Sequence, residues 1–128
     1  MAIGKPTDLN TVRPLDNATI RRFTVGTGGV AAGDIVTIGA TGVVPCDGNS
    51  AGSKSAIGIA IKTAVATERV DVVVLGGCVC VAGATIGAPA YPDDTTPGTP
   101  NETASTNKYA VGLAESATVI FVSPRYIA

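Results

Sequence analysis

The sequence predicts an all-β fold, a compact single-domain β-barrel or sandwich, and three observations carry that expectation. The apolar residues are branched or small: 16 Val, 10 Ile and 19 Ala stand against 4 Leu, 2 Phe and no Trp, a set that suits a pleated surface better than a helix. From Phe23 onward, short apolar runs are broken at close intervals by Gly, Pro, Asn and Asp, which is the rhythm of strands and turns in barrels and sandwiches. With 128 residues, 45% of them hydrophobic, the chain has the size of one ordinary domain. Folding at that size buries roughly two-thirds of the unfolded surface, so a core forms without disulfides or metal.

Residues 1–22 lack sustained periodicity and carry Lys5, Arg13, Arg21 and Arg22 against Asp8 and Asp16, a balance of +2, whereas the remainder carries −3. A mildly basic extended arm (1–22) on a mildly acidic β-barrel-like body (23–128) is expected, with a frayed terminus as the alternative. Gly26-Thr27-Gly28-Gly29 reads as a turn. Val30–Asp34 is turn-like and leads into a strand at Ile35–Ile38, and Gly39–Gly42 turns the chain into Val43–Cys46. Asp47–Ser55 is a small polar loop. Ala56–Ile61 follows as a strand in which Gly58 marks a bulge or a close backbone approach. Val70–Val74 is the next strand, and Gly76-Gly77 predicts a tight hairpin turn into Cys78–Val81, because such turns need positive φ. Pro92–Asn107, rich in Pro, Thr, Ser and Asn, reads as a long surface loop. Tyr109–Ala114 and Thr118–Val122 form a last hairpin, with Pro124 marking its end.

An internal echo runs through this order. Lys54–Ala60 (KSAIGIA) and Lys108–Ala114 (KYAVGLA) share four of seven positions at an offset of 54, and the same offset carries Gly33 onto Gly87. Two related halves building one barrel are expected. An Ala/Val/Gly-rich chain also produces such matches by coincidence.

Chemistry is restricted by what is missing. There is no His, which removes the commonest general base and metal ligand and every Ser-His or Cys-His pair. Gly48-Asn49-Ser50-Ala51-Gly52 fits a nucleophile-elbow pattern, yet no helix is expected after it and no base is present. Cys78 and Cys80, two apart in a strand, share a face and could meet a soft metal with Cys46. Three thiols without a fourth ligand read better as buried small hydrophobes. Asp93-Asp94 reads as solvated loop carboxylates. No catalytic set, cofactor or metal is therefore expected, and the chain is not read as an enzyme. A net charge of −1 offers no field for nucleic acid. The uncharged stretch Val72–Pro92 holds Gly76, Gly77, Gly83, Gly87 and Pro89, which suits strands and turns, so no membrane partner is expected. Met1–Asn10 has no apolar secretory segment, and the odd set of three cysteines fits folding in a reducing host cytoplasm.

The order of the segments resembles the small capsid cement, or head decoration, proteins of tailed bacteriophages. The residues that carry the resemblance are Val30–Val36 (VAAGDIV), Gly42–Cys46, Ala56–Ala60, Val70–Gly77, Gly87–Tyr91 and Val111–Ala114, spanning about residues 24–123. Ala88-Pro89 departs from the family's usual acidic and apolar pair. The resemblance implies a β-barrel-like body, frequently trimeric, that sits on the outer surface of an expanded head, binds the major capsid protein and bridges its subunits against genome pressure. Arg13, Arg21 and Arg22 are the residues expected to meet an acidic shell surface. The alternative is a carbohydrate-binding surface or fibre module of a virion, with Tyr91 or Tyr109 stacking on a sugar.

Overall fold

A computed structural model describes residues 3–49, 55–106 and 108–126 of the chain. A 3₁₀ turn at Leu9–Thr11 is followed by β1 (Arg13–Pro14), β2 (Thr19–Thr24), β3 (Ile35–Ile38), β4 (Val43–Pro45), β5 (Gly58–Ala60), β6 (Arg69–Val79), β7 (Pro89–Pro92), β8 (Pro100–Asn101), β9 (Tyr109–Ala114) and β10 (Val119–Tyr126). They form one curled antiparallel sheet in the order β4-β3-β5-β6-β10-β9-β7-β8, with β1 and β2 also paired to β6. The all-β, barrel-like architecture is thus as expected. Among the described residues no helix is long and apolar enough to cross a membrane, and the uncharged stretch Val72–Pro92 is part of β6, a turn and β7.

The strand order reads the same from either end, and the echo in the sequence is an echo in register. Ile35 pairs with Ile59 and Val36 with Gly58 in the first half; Pro89 pairs with Leu113 and Ala90 with Gly112 in the second, each shifted by the same 54 positions. The turns that lead in are matched as well. Gly33 and Gly87 adopt φ of +88° and +85°, and their N–H groups donate to Ala60 O and Ala114 O, both at 2.8 Å. Glycine is required at Gly58 and Gly112 because a Cβ there would run into the carbonyl of Val73 or Phe121 on the return strand. The two returns differ in reach: Ala60 pairs with Val72 but Ala114 with Ile120, so the second half has the shorter connection.

The first half closes on itself. β2 pairs with β6, β6 with β5, β5 with β3 and β3 with β4, and Val25, just past β2, bridges Val43 on β4. Inside this ring lie Val25, Val30, Val36, Val43, Ala60, Ala64, Val70 and Val72. The alternate residues of the same strands, Ile35, Ile59 and Val73, turn the other way into a larger core with Cys46, Cys78, Cys80, Val111, Ile120 and Val122 from both halves. Strands buried on both faces explain why Ile35–Val36 and Val72–Val73 are unbroken apolar pairs instead of alternating with polar residues.

Four expectations are corrected. Gly76-Gly77 is not a hairpin turn: β6 runs without interruption from Arg69 to Val79. The glycines are there because the N-terminal segment crosses tightly over them. A Cβ on Gly76 would lie 2.6 Å from Asn17 O, and one on Gly77 2.6 Å from Leu15 Cδ1. Second, the N-terminal segment is not a separate arm. From residue 3 it lies on the body, with Ile3 and Val12 in the larger core, Gly4 bridging Ala82 and Lys5 Nζ 2.7 Å from Asp34 Oδ1; the expected boundary at 22/23 falls inside β2. The cause is burial, worth about 1.5–3 kcal/mol for each aliphatic side chain covered. Third, Pro124 does not end the last strand. It sits where the β9–β10 register shifts between Val122 and Arg125, since an irregularity tolerates the missing N–H. Fourth, residues 92–107 are not a featureless loop. β8 folds back on β7, with Tyr91 opposite Asn101. Asp93 shapes the turn, accepting from the N–H groups of Thr95 (3.0 Å) and Thr96 (2.8 Å) and from Asn101 Nδ2 (2.7 Å).

Candidate interaction surface

Five of the six residues of β2 are exposed, with Phe23 half-buried, although the strand is paired along its length to the most deeply integrated strand of the fold. Side chains alternate along it. Ile20, Arg22 and Thr24 stand on one face beside Val73, Asp71 and Arg69 of β6; Arg21 and Phe23 stand on the other beside Val72 and Val70. Phe23 seals the rim of the barrel interior, and the Arg21 guanidinium lies over its ring at 5.3 Å from the centroid, within cation–π range. Across the strand, Arg22 Nε donates to Asp71 Oδ1 at 2.9 Å, with side chains 64% and 34% exposed. The Asp71 hydrogen bond and charge raise the Arg22 pKa further above its ordinary value. Screening by water keeps such an exposed pair small in stability terms.

Arg13, Arg21 and Arg22 therefore do not form one cluster. Arg21 and Arg22 are neighbours pointing to opposite faces. Arg13 is opposite Val79 while Arg22 is opposite Asp71, so the two are roughly 26 Å apart along β6 at about 3.3 Å per residue. Arg13 is exposed, its guanidinium reaching Thr11 O at 3.4 Å; the hollow beside it, lined by Arg13–Asn17, has a volume of about 610 Å³. Arg69 joins the Arg21/Arg22 end, its guanidinium donating to Arg22 O at 3.3 Å. Sequence reasoning missed it, because its nearness to β2 depends on a pairing of residues 47 apart. Exposed apolar groups complete the surface: Ile20 is 42% and Leu75 49% exposed, and Leu75 pairs with Thr19, next to Ile20.

The other singled-out residues are placed as follows. Cys46, Cys78 and Cys80 are buried, with no measurable exposure. Cys78 and Cys80 share a face, and the hydrogen bond with Cys78, reinforced by burial, pushes the Cys80 thiol well above its usual pKa, so it stays protonated. Among the described residues no group of three or more His, Cys, Asp or Glu is placed to hold a metal ion. Asp93 and Asp94 are not merely solvated. Asp94 accepts from Thr106 N (3.0 Å) and Oγ1 (2.9 Å), and the Asn101 hydrogen bond, followed by that of Thr96, holds the Asp93 carboxyl below the usual range. Tyr91 is buried at 4% exposure, so its ring is not presented to a sugar. Ser50, Ala51 and Gly52 of the elbow pattern and Lys54 of the first repeat lie outside the described residues.

No family model, curated protein or solved structure matches the chain.

Proposed function

We propose that this chain is a structural binding protein of a virion, a capsid cement protein that attaches to the outside of an expanded phage head and joins subunits of the major capsid protein. The observation that carries the reading is β2, an exposed basic strand on a chain whose net charge is −1. It is supported by the segment order that resembles head decoration proteins. A double-faced strand bearing Arg21 and Arg22, with Arg13 some 26 Å away along β6, gives two separated contact points on a stiff body. Two points on one rigid element are what bridging needs: subunits held at both cannot part without breaking a contact. A trimer of such bodies would add avidity, because once one copy is attached the others bind at high effective concentration.

The test is co-sedimentation with expanded heads prepared without this protein, unexpanded shells serving as control. Saturable binding to expanded heads alone is expected, weakening with salt as arginine contacts are screened. Arg13→Glu and Arg21→Glu, both at exposed positions, should each weaken binding while the protein stays folded, Arg21→Glu also losing its contact with the Phe23 ring. Folded wild-type protein that binds neither shell would refute the proposal, and sedimentation equilibrium of the free protein decides trimer against monomer.

A further inference from the structure

We propose that the outer edge of β2 is a strand-addition site for an extended, acidic segment of a partner chain. The inference deepens the shell-binding reading and takes only the partner's identity from it.

The edge is open. Val25 N donates to Glu68 O at 2.8 Å, and the β2–β6 register runs Phe23 to Val70 and Arg21 to Val72. In an antiparallel ladder, N–H and C=O groups of alternate residues point to opposite sides. Arg21, Phe23 and Val25 therefore direct theirs toward β6, and Ile20, Arg22 and Thr24 direct theirs away. Asp71, opposite Arg22, confirms the phase, for its carbonyl accepts from Ile61 N at 3.1 Å on the β5 side. Two of the outward groups are taken: Arg22 O accepts from the Arg69 guanidinium, and Thr24 O lies against Gly42 where Val25 bridges Val43 of β4, which leaves the groups of Ile20 and the N–H groups of Arg22 and Thr24 facing outward.

The fold protects its other edges. β4 is covered by the Val25–Val43 bridge, and β7 and β8 carry Pro89, Pro92 and Pro100, residues that cannot serve a growing ladder. β2 has no proline, and its irregularity is confined to the Thr19/Ile20 end. What it has instead is positive charge. Arg21 has no carboxylate partner among the described residues, and Arg22 shares only the half-buried Asp71. A second copy pairing antiparallel about this strand would set arginines opposite arginines, which is destabilising. A strand bearing adjacent Asp or Glu residues would instead meet Arg21 on one face and Arg22 on the other, with an apolar residue over Ile20. The same charges thus reject self-pairing and admit an acidic strand.

Amide exchange by NMR tests this on the intact protein. The probes are a short Val/Thr-rich peptide with a central Asp-Glu pair and the same peptide with Lys-Lys. With the acidic peptide, exchange at Ile20, Arg22 and Thr24 should slow by about tenfold once roughly nine-tenths of the protein is bound, because only the free fraction exchanges. Thr24→Pro, which leaves every arginine in place and takes its N–H from the open side, should keep the fold and lose the protection at Ile20 and Arg22. Arg21→Glu should shift the preference toward the Lys-Lys peptide, a readout that holds even if the proline variant does not fold. Equal slowing by both peptides, or none at millimolar acidic peptide, overturns the proposal; slowing that grows with protein concentration and needs no peptide assigns the edge to a second copy and overturns it too. Protection by peptide with no binding to expanded heads leaves the edge assignment standing and sinks the shell reading alone.

Discussion

Replacing Gly76 by Asn separates the two meanings a Gly-Gly pair can have in a β chain. In a two-residue hairpin, Asn-Gly is among the most favourable turn sequences, so Gly76→Asn would be neutral or stabilising. Here Gly76 lies inside β6 at φ +98°, with the N-terminal segment directly above it: an added Cβ would meet Asn17 O at 2.6 Å and Ala18 Cα at 2.8 Å. These are backbone atoms, fixed by Leu15 N donating to Gly77 O at 3.0 Å and by Gly77 N donating to Asn17 Oδ1 at 3.2 Å, so they cannot step aside without breaking the crossing. The left-handed backbone costs about 1 kcal/mol for a side chain that tolerates it. Overpacking against fixed atoms adds about 1–3 kcal/mol, for a total of roughly 2–4 kcal/mol. With an unfolding entropy of about 2.1 cal/mol/K per residue over 128 residues, that lowers the melting temperature by roughly 7–15 °C. Gly77→Ala should be milder, because its Cβ meets the mobile end of Leu15. Thermal unfolding followed by circular dichroism measures both. A Gly76→Asn protein that melts with wild type would show that the crossing is not there and that the pair is a turn.

Further outcomes follow from the same packing and from the Asp93 turn. Truncating Val12 to Ala should cost about 1–3 kcal/mol, and deleting residues 1–22 should produce an unfolded or aggregating chain, because Ile3 and Val12 belong to the core; a deletion variant with sharp, native-like NMR dispersion would refute this. The three buried thiols should resist a disulfide reagent in the native protein and react together at the rate of unfolding. Because the folded Cys80 pKa is raised, the folded state holds its proton longer than the unfolded one. That contribution is complete below the unfolded thiol value of about 8.5 and is lost as pH rises above it, so denaturant midpoints should fall from about pH 8.5 upward and recover in Cys80→Ser. For Asp93 the sign is opposite: its lowered folded pKa gives stability that is present above the usual carboxylate value and lost as pH falls through the folded one. Asp93→Asn should therefore flatten the acid limb and speed amide exchange at Thr95 and Thr96, and unchanged exchange there would argue against the turn.

What could be read from the sequence was whatever depends on neighbours within one strand or turn. The runs Ile35–Ile38, Val43–Pro45 and Tyr109–Ala114 stand where their branched residues place them, and the 54-residue echo carries through to register because Gly58 and Gly112 meet the same obstacle. The errors share a different cause. Gly-Gly signals a turn and a close approach equally well, and only the passage of Leu15–Ala18 over β6, set by pairings some 60 residues apart, decides between them. The N-terminal segment looked like an arm because its buried residues, Ile3 and Val12, are too sparse to show a period, yet two anchors and the Lys5–Asp34 pair hold an extended strand as well as an amphipathic one. On the candidate surface, Arg21 and Arg22 were legible as charge; the opposition of Asp71 and the arrival of Arg69 were not.

The difference between the halves has a physical origin that bears on where this protein presents itself to others. The two share the turn, the first strand and the Gly-centred second strand, and differ in the return. The first half has a long connection between Ala60 and Val72 and a preceding strand, β2, to finish its ring through Val25 and Val43. The second returns at once from Ala114 to Ile120, and the strand lying beside its return is the end of β6 itself. One strand thus closes the first half and begins the second, and β2, which approaches β4 only at its Val25 end, keeps its Ile20–Arg22 stretch without a strand on that side. A partner strand there would continue the antiparallel order that the chain already follows.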